Sequence, residues 1–289
     1  MLSTCTYMGM PNQPGCVKGL MSLSGLGLRP LTVSVAFTSG PKGGTGKSTL
    51  VANIAAMIDE PVVILDLGFD GNVTASRLHK VEYTDESSGF IDYVAYGSEL
   101  NIVESKEEPN VKFIPPGSFR SLKIPKIVFS MPLEAMANRL SNMVALLAKN
   151  GLSILLIDLP SNPSFLGPLY PLLLYYSDII NVVIEPGQVY MGVLSELYRW
   201  LIKVVDDESM VNVIVNKYHE YFDGYPKEAN RYVIRGKVYL IRLDPVAMAL
   251  TLKGELAVKY REAAVFRKSI DELTKDVVNQ VSMYMGVVK

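Results

Sequence analysis

The chain has 289 residues, of which 49% are hydrophobic and 20% charged. It is long enough to bury a large core and too apolar to stay disordered. Its net charge of −1 gives the whole molecule no strong field toward nucleic acid or acidic lipid.

Residues 1–30 are rich in Gly, Pro, Ser and Met without a sustained period, which predicts a poorly ordered tail ahead of one domain over 31–289. Cys5 and Cys16 lie in that tail at a spacing that fits no metal or redox motif, so no disulfide framework is expected and a reducing, cytoplasmic setting is the default. No basic start followed by an apolar core marks a secretory signal. The most apolar stretch, 171–184, is interrupted by Ser177 and Asp178, short of the ~18 apolar residues that would suggest a membrane span.

From residue 31 onward strand and helix patterns alternate. Strands are predicted at 31–38, 61–67, 111–114, 152–159, 179–184, 211–215 and 237–243. Helices are predicted at 48–58, 90–96, 131–149, 166–176 and 190–205, with further helices after the last strand. Unbroken apolar strands alternating with helices mean a mostly parallel sheet covered on both faces, an α/β fold. Ligands in such sheets bind beyond the carboxyl ends of the strands.

The first strand runs into Ser39-Gly40-Pro41-Lys42-Gly43-Gly44-Thr45-Gly46-Lys47-Ser48-Thr49, and a helix follows. Glycines without Cβ let backbone N–H groups close around phosphate oxygens, and the helix N-terminus adds its dipole. In this reading Gly43, Gly44, Thr45, Gly46, Lys47, Ser48 and Thr49 bind nucleotide. Lys47 reaches the β- and γ-phosphates and the Ser48 hydroxyl ligates Mg²⁺. Two further strands end in an acid, at Asp66 and Asp158. A carboxylate at such a strand end is placed to hold a Mg²⁺-bound water, because Mg²⁺ keeps several waters and takes few carboxylates. The expected metal set is therefore Ser48, Asp66 and Asp158.

The usual phosphate loop has Gly six residues before its lysine, where this chain has Pro41. The string Lys42-Gly43-Gly44-Thr45-Gly46-Lys47-Ser48-Thr49 instead resembles the deviant Walker A loop of the ParA/MinD ATPases. That resemblance implies a P-loop NTPase that binds ATP and Mg²⁺ and forms an ATP-dependent homodimer, with Lys42 reaching the phosphates of the partner's ATP. Asp158 resembles the Walker B acid. The segment from Asp66 to Asn72 resembles the family's first switch, Asp-x-Asp-Pro-Gln-Gly-Asn. Asp66, Gly71 and Asn72 match it, but the second Asp, which in the family positions the attacking water, is Gly68 here. Asp70 reads either as a substitute catalytic carboxylate or as a turn residue before Gly71. The implied catalytic set is Lys42, Asp66 and Asp70, and binding is expected to be safer than brisk hydrolysis. The run Val213-Ile214-Val215-Asn216-Lys217 resembles the strand whose Asn contacts adenine, although a strand-end turn would also explain Asn216. Leu243-Asp244-Pro245 is a weaker match to the family's loop near the base.

Charge bears on the branch of the family. Residues 217–268 hold 11 basic and 6 acidic side chains, whereas the first 216 are net acidic. That segment suits a ParA-like partitioning ATPase binding duplex DNA nonspecifically, with a separate protein stimulating hydrolysis. A MinD-like membrane cycle is the weaker alternative, because the final 15 residues carry only two lysines. A scaffold that uses ATP only as dimer glue, and amidoligase or synthetase relatives, stay open. Iron–sulfur members need core cysteines, and none follows Cys16.

Overall fold

The computed structural model describes residues 32–68, 73–83, 88–117, 128–206 and 209–286. The tail 1–30 with its two cysteines, and Asp70, Gly71 and Asn72, lie outside the described residues.

The first strand, β1 (Val33–Thr38), is buried along its whole length. Alternate side chains serve opposite faces: Val33, Val35 and Phe37 join one apolar cluster and Ala36 joins the other. The same division holds in β2 (Val62–Asp66) and β5 (Ile154–Asp158), which is why these strands read as continuous apolar runs. One face is covered by α1 (Lys47–Ala55) and α9 (Ala264–Tyr284). The other is covered by α3 (Phe90–Tyr96), α4 (Leu133–Lys149), α5 (Leu169–Tyr175) and α6 (Gln188–Val204). The chain is completed by α2 (Thr74–Leu78), β3 (Val103–Glu104), β4 (Val111–Ile114), β6 (Ile179–Ile184), β7 (Met210–Tyr218), α7 (Gly224–Ala229), β8 (Arg235–Arg242) and α8 (Pro245–Leu252).

The eight strands run in the order β3-β4-β2-β5-β1-β6-β7-β8. All neighbours are parallel except β3, which pairs antiparallel with β4 at one edge. This is the α/β fold that the alternating pattern predicts. Three short elements escaped that pattern: α2, β3 and α7. Each is too short for its apolar period to stand out, and α2 has no side-chain cap to announce it. The seventh strand is longer than its apolar core suggests, because Asn216 and Lys217 continue it past Val215.

β1 sits between β5 and β6, so the turn from β1 into α1 falls where connections leave in opposite directions. That crevice, beyond the carboxyl ends of β2, β5 and β1, is where the fold can hold a ligand. Among the described residues, no helix is long and apolar enough to cross a membrane.

Candidate functional site

Gly40, Gly44 and Gly46 take the left-handed backbone, with φ of +57°, +77° and +86°. Gly46 is the N-cap of α1, and no side chain caps that helix. Its first-turn N–H groups are therefore open to an outside acceptor, with the helix dipole behind them. Lys47 is buried, and its Nζ donates to Ser39 Oγ at 3.0 Å. Ser39 Oγ in turn donates to the Lys42 carbonyl, which closes the loop on itself. Within the loop, Thr45 Oγ1 is buried without a hydrogen-bond partner among the described residues.

In front of this loop lies a polar cleft of about 250 Å³. Gly44, Gly46, Lys47, Ser48 and Thr49 form one wall, and Gly68, Thr74, Asp158 and Ser161 contribute to the rest. Strand register places the two acids side by side, since Asp66 pairs with Asp158 and Asp158 with Phe37 of β1. Their surroundings differ. Asp158 lines the cleft beside Ser48. Asp66 is fully buried and does not line it. One Asp66 oxygen accepts from Gly68 N at 3.2 Å, and the other from Ser76 N and Oγ at 3.1 and 2.5 Å. Tyr83 donates to the same Ser76 hydroxyl at 2.9 Å, and burial pushes the Tyr83 phenol well above its ordinary range. Asp66 thus ties the segment after β2 to α2. Ser76 and Tyr83 were not legible as site residues, because they act from a five-residue helix and a loop with no motif.

A second recess of about 220 Å³ opens on the other side of the loop. It shares Gly44, Gly46 and Thr49 with the cleft, and Leu243, Ala247, Met248, Leu252 and Phe266 make it apolar. Asp244 shapes it: one carboxylate oxygen caps α8 through Val246 N and Ala247 N, and the other accepts from Phe266 N at the start of α9. Asn216 stands at the border. Its Nδ2 donates to the Thr45 carbonyl at 2.7 Å, which leaves Oδ1 as the atom it can offer a ligand. A Cβ on Gly46 would lie 2.4 Å from that Nδ2, so a side chain here would push the Asn216 amide away from the Thr45 carbonyl.

The sequence-predicted residues therefore fall into three groups. Gly44, Gly46, Lys47, Ser48, Thr49 and Asp158 converge on the cleft, and Asn216 joins them from the apolar recess. Asp66 stands behind the cleft, and Gly43 and Thr45 belong to the loop without lining it. Lys42 is also outside the cleft lining, and its ammonium has no ion partner among the described residues. No group of three or more His, Cys, Asp or Glu suited to a metal occurs among the described residues. Four hydroxyls, Ser48, Thr49, Thr74 and Ser161, and one carboxylate, Asp158, line the cleft, and so few carboxylates suit Mg²⁺ shared with a phosphate ligand rather than an all-protein metal cage.

An uncapped helix behind a glycine loop, at the turning point of a parallel sheet, defines a P-loop nucleotide-binding domain. The family model described as the CobQ/CobB/MinD/ParA nucleotide binding domain matches residues 36–288, and the chain belongs to that family. No curated protein matches it. Among solved structures it is similar to the septum site-determining protein MinD complexed with Mg-ADP from Pyrococcus horikoshii, at 20% identity and a TM-score of 0.62, over 85% of this chain and 96% of that one. It is similar to an ATP complex of McdA from Cyanothece, at 14% identity and a TM-score of 0.67, over 87% and 98%. It is also similar to a plasmid partition protein from Borrelia burgdorferi, at 13% identity and a TM-score of 0.60, over 85% and 99%. At these identities the likeness establishes the fold.

Proposed function

We propose that the chain is a ParA-like ATPase that binds Mg-ATP, dimerises around it and releases the dimer on hydrolysis. The observation that carries this reading is the convergence of Lys47, Ser48 and Asp158 on one cleft under an uncapped helix, with an apolar recess adjoining it. Gly44 and Gly46 bring backbone close to the phosphates, and Lys47 leaves Ser39 to meet the β- and γ-oxygens. Ser48 and Asp158 would hold Mg²⁺, directly and through water, and the ion would neutralise charge on the phosphate oxygens. The adenine would occupy the apolar recess, with Asn216 Oδ1 accepting from its amino group.

Hydrolysis needs a water held in line with the γ-phosphorus. Its oxygen bonds to phosphorus as the bond to the β,γ-bridging oxygen breaks and ADP leaves. Gly68 lines the cleft and offers no carboxylate for that task, so we infer slow intrinsic turnover that a partner protein stimulates. Asp70, outside the described residues, is the candidate substitute.

Lys42 supports the dimer reading, because an ammonium without an ion partner among the described residues, near the cleft, is available to a second copy. In solution, ATP should double the apparent mass of the wild type. Lys42→Ala should abolish that doubling while changing nucleotide affinity by less than about threefold. Equal loss of nucleotide in Lys42→Ala and Lys47→Ala would contradict the cross-dimer role.

For the dimer's target, Arg231, Arg235, Lys253, Arg261, Arg267 and Lys268 have no ion partner among the described residues. Lys237, Arg242 and Lys259 of the same basic segment are paired. The unpaired set favours duplex DNA, bound in a salt-sensitive, sequence-indifferent way. A second reading has its own observation. α8 exposes Val246, Met248 and Leu252, the last at 87%, and an apolar helix flanked by lysine and arginine also suits an anionic membrane. The dimer should retain on duplex DNA at low salt and stay off anionic liposomes. The reverse partition would favour the membrane reading.

A further inference from the structure

Two consecutive residues of β7 reach the phosphate loop. Asn216 Nδ2 donates to the Thr45 carbonyl at 2.7 Å, and Lys217 Nζ donates to the Gly44 carbonyl at 3.1 Å. Neighbours in a regular strand point to opposite faces, so this pairing needs a break in the strand. The break is present. Lys217 has φ of +54°, a left-handed backbone that a lysine adopts only when its surroundings impose it, and the register of β7 against β8 shifts between Val215 and Tyr218.

The Lys217 ammonium is itself held. It donates to Glu185 Oε1 at 2.5 Å, and the other Glu185 oxygen accepts from Tyr190 OH at 3.3 Å. Glu185 follows β6, and Tyr190 lies in the first turn of α6. The loop carbonyl is thus anchored to two separate elements.

The consequence follows from peptide geometry. A trans peptide points its C=O and its N–H in opposite directions. The Gly44 carbonyl shares its peptide with Thr45 N–H, and the Thr45 carbonyl with Gly46 N–H. Drawing both carbonyls toward β7 turns both N–H groups away from it.

We propose that Lys217, held by Glu185, is a positioning residue of the phosphate loop. It lines the apolar recess, yet its role is to preset the loop amides for a phosphate chain rather than to meet the nucleotide through its charge. The proposal rests on the nucleotide-binding reading only for its purpose, since the clamp is made entirely by the chain's own residues. The charge of Lys217 is spent on Glu185 and a carbonyl.

The test pairs two measurements on wild type, Lys217→Met, Lys217→Arg and Glu185→Gln. Amide hydrogen exchange is followed in the nucleotide-free protein, and Mg-ATP is titrated calorimetrically. Losing a charge-assisted hydrogen bond should speed exchange across 40–49 about 10-fold and weaken ATP by a similar factor in Lys217→Met. Exchange in α4 and the thermal midpoint should stay at wild-type values. Lys217→Arg should recover most of both losses, and Glu185→Gln should fall between. Unchanged loop exchange in Lys217→Met overturns the clamp, whether ATP binding is kept, leaving the nucleotide reading intact, or lost, which would mean that Lys217 meets the nucleotide directly. Altered loop exchange in a protein whose wild type binds no ATP sinks the nucleotide reading and leaves the clamp standing.

Discussion

Two recesses meet at the phosphate loop and are built from opposite materials. The cleft in front of α1 is polar and its walls come from strand ends and a helix start, whereas the recess beside α8 is apolar and depends on side chains from the last third of the chain. They share Gly44, Gly46 and Thr49, so one ligand with a charged end and a flat apolar end can fill both. The contrast teaches how the site divides its work. In the proposed reading the polar half recognises phosphate through backbone and charge, and the apolar half gains affinity from area and shape.

That division can be broken most sharply at Lys47. Lys47→Ala should weaken both Mg-ATP and pyrophosphate by about 100-fold, the upper end expected for a buried charge-assisted contact. Calorimetric titration with each ligand checks it, and a loss confined to ATP would place the lysine in the wrong half.

A second effect lies behind the phosphate loop, outside the lining of either recess. His79 is buried between Ala52 of α1 and Ser105, stacked obliquely on Phe113, and burial lowers its pKa from 6.5 to about 4. Glu107, Glu108 and Lys259 carry the nearby charges. Because the folded pKa lies below the unfolded one, the unfolded chain binds more protons between these values. Stability should be full above pH 6.5, fall as pH drops through the window, and level off below pH 4. The loss from pH 7 to pH 5 should be about 2 kcal/mol by chemical denaturation. His79→Gln should flatten that slope, and an unchanged slope would assign the acid sensitivity to another group.

The apolar half is probed by Met248→Asp. A charge in the recess should weaken ATP about 10-fold and leave pyrophosphate within twofold of wild type. Equal effects on the two ligands would mean that the recess does not receive the base.

The smallest effect sharpens the account of turnover. Gly68 lines the cleft without a side chain, and an aspartate there would supply the missing carboxylate. Gly68→Asp should raise single-turnover ATP hydrolysis by up to about 10-fold. Wild-type turnover at ordinary enzyme rates, unchanged in Asp70→Asn, would mean that another residue orients the water.

The two halves were unequally legible in the sequence. The phosphate loop and Asp158 are read from a contiguous string and a strand end, because backbone chemistry demands those residues in that order. The strands at Val111–Ile114 and Ile179–Ile184 and the helix at Phe90–Tyr96 coincide with their predicted spans, since their apolar patterns are unambiguous. The apolar recess was faint. Its helix α8 buries only Ala247, so it has no periodic face, and its cap Asp244 works through Phe266 far along the chain. The Lys217 contact was hidden altogether, because it spans 173 residues and depends on a left-handed residue that propensity assigns to glycine or asparagine. The motif marks Asp66 as a site residue, and its hydrogen bonds to Gly68 and Ser76, which no motif announces, set it behind the cleft.

The central claim is that one nucleotide bridges both recesses, and calorimetric titration of the wild type with Mg-ATP, pyrophosphate and adenosine tests it most directly. The account predicts that ATP binds at least about 10-fold more tightly than either fragment, and that each fragment is displaced by ATP in competition. ATP binding no tighter than pyrophosphate, with adenosine neither binding nor competing, would contradict it.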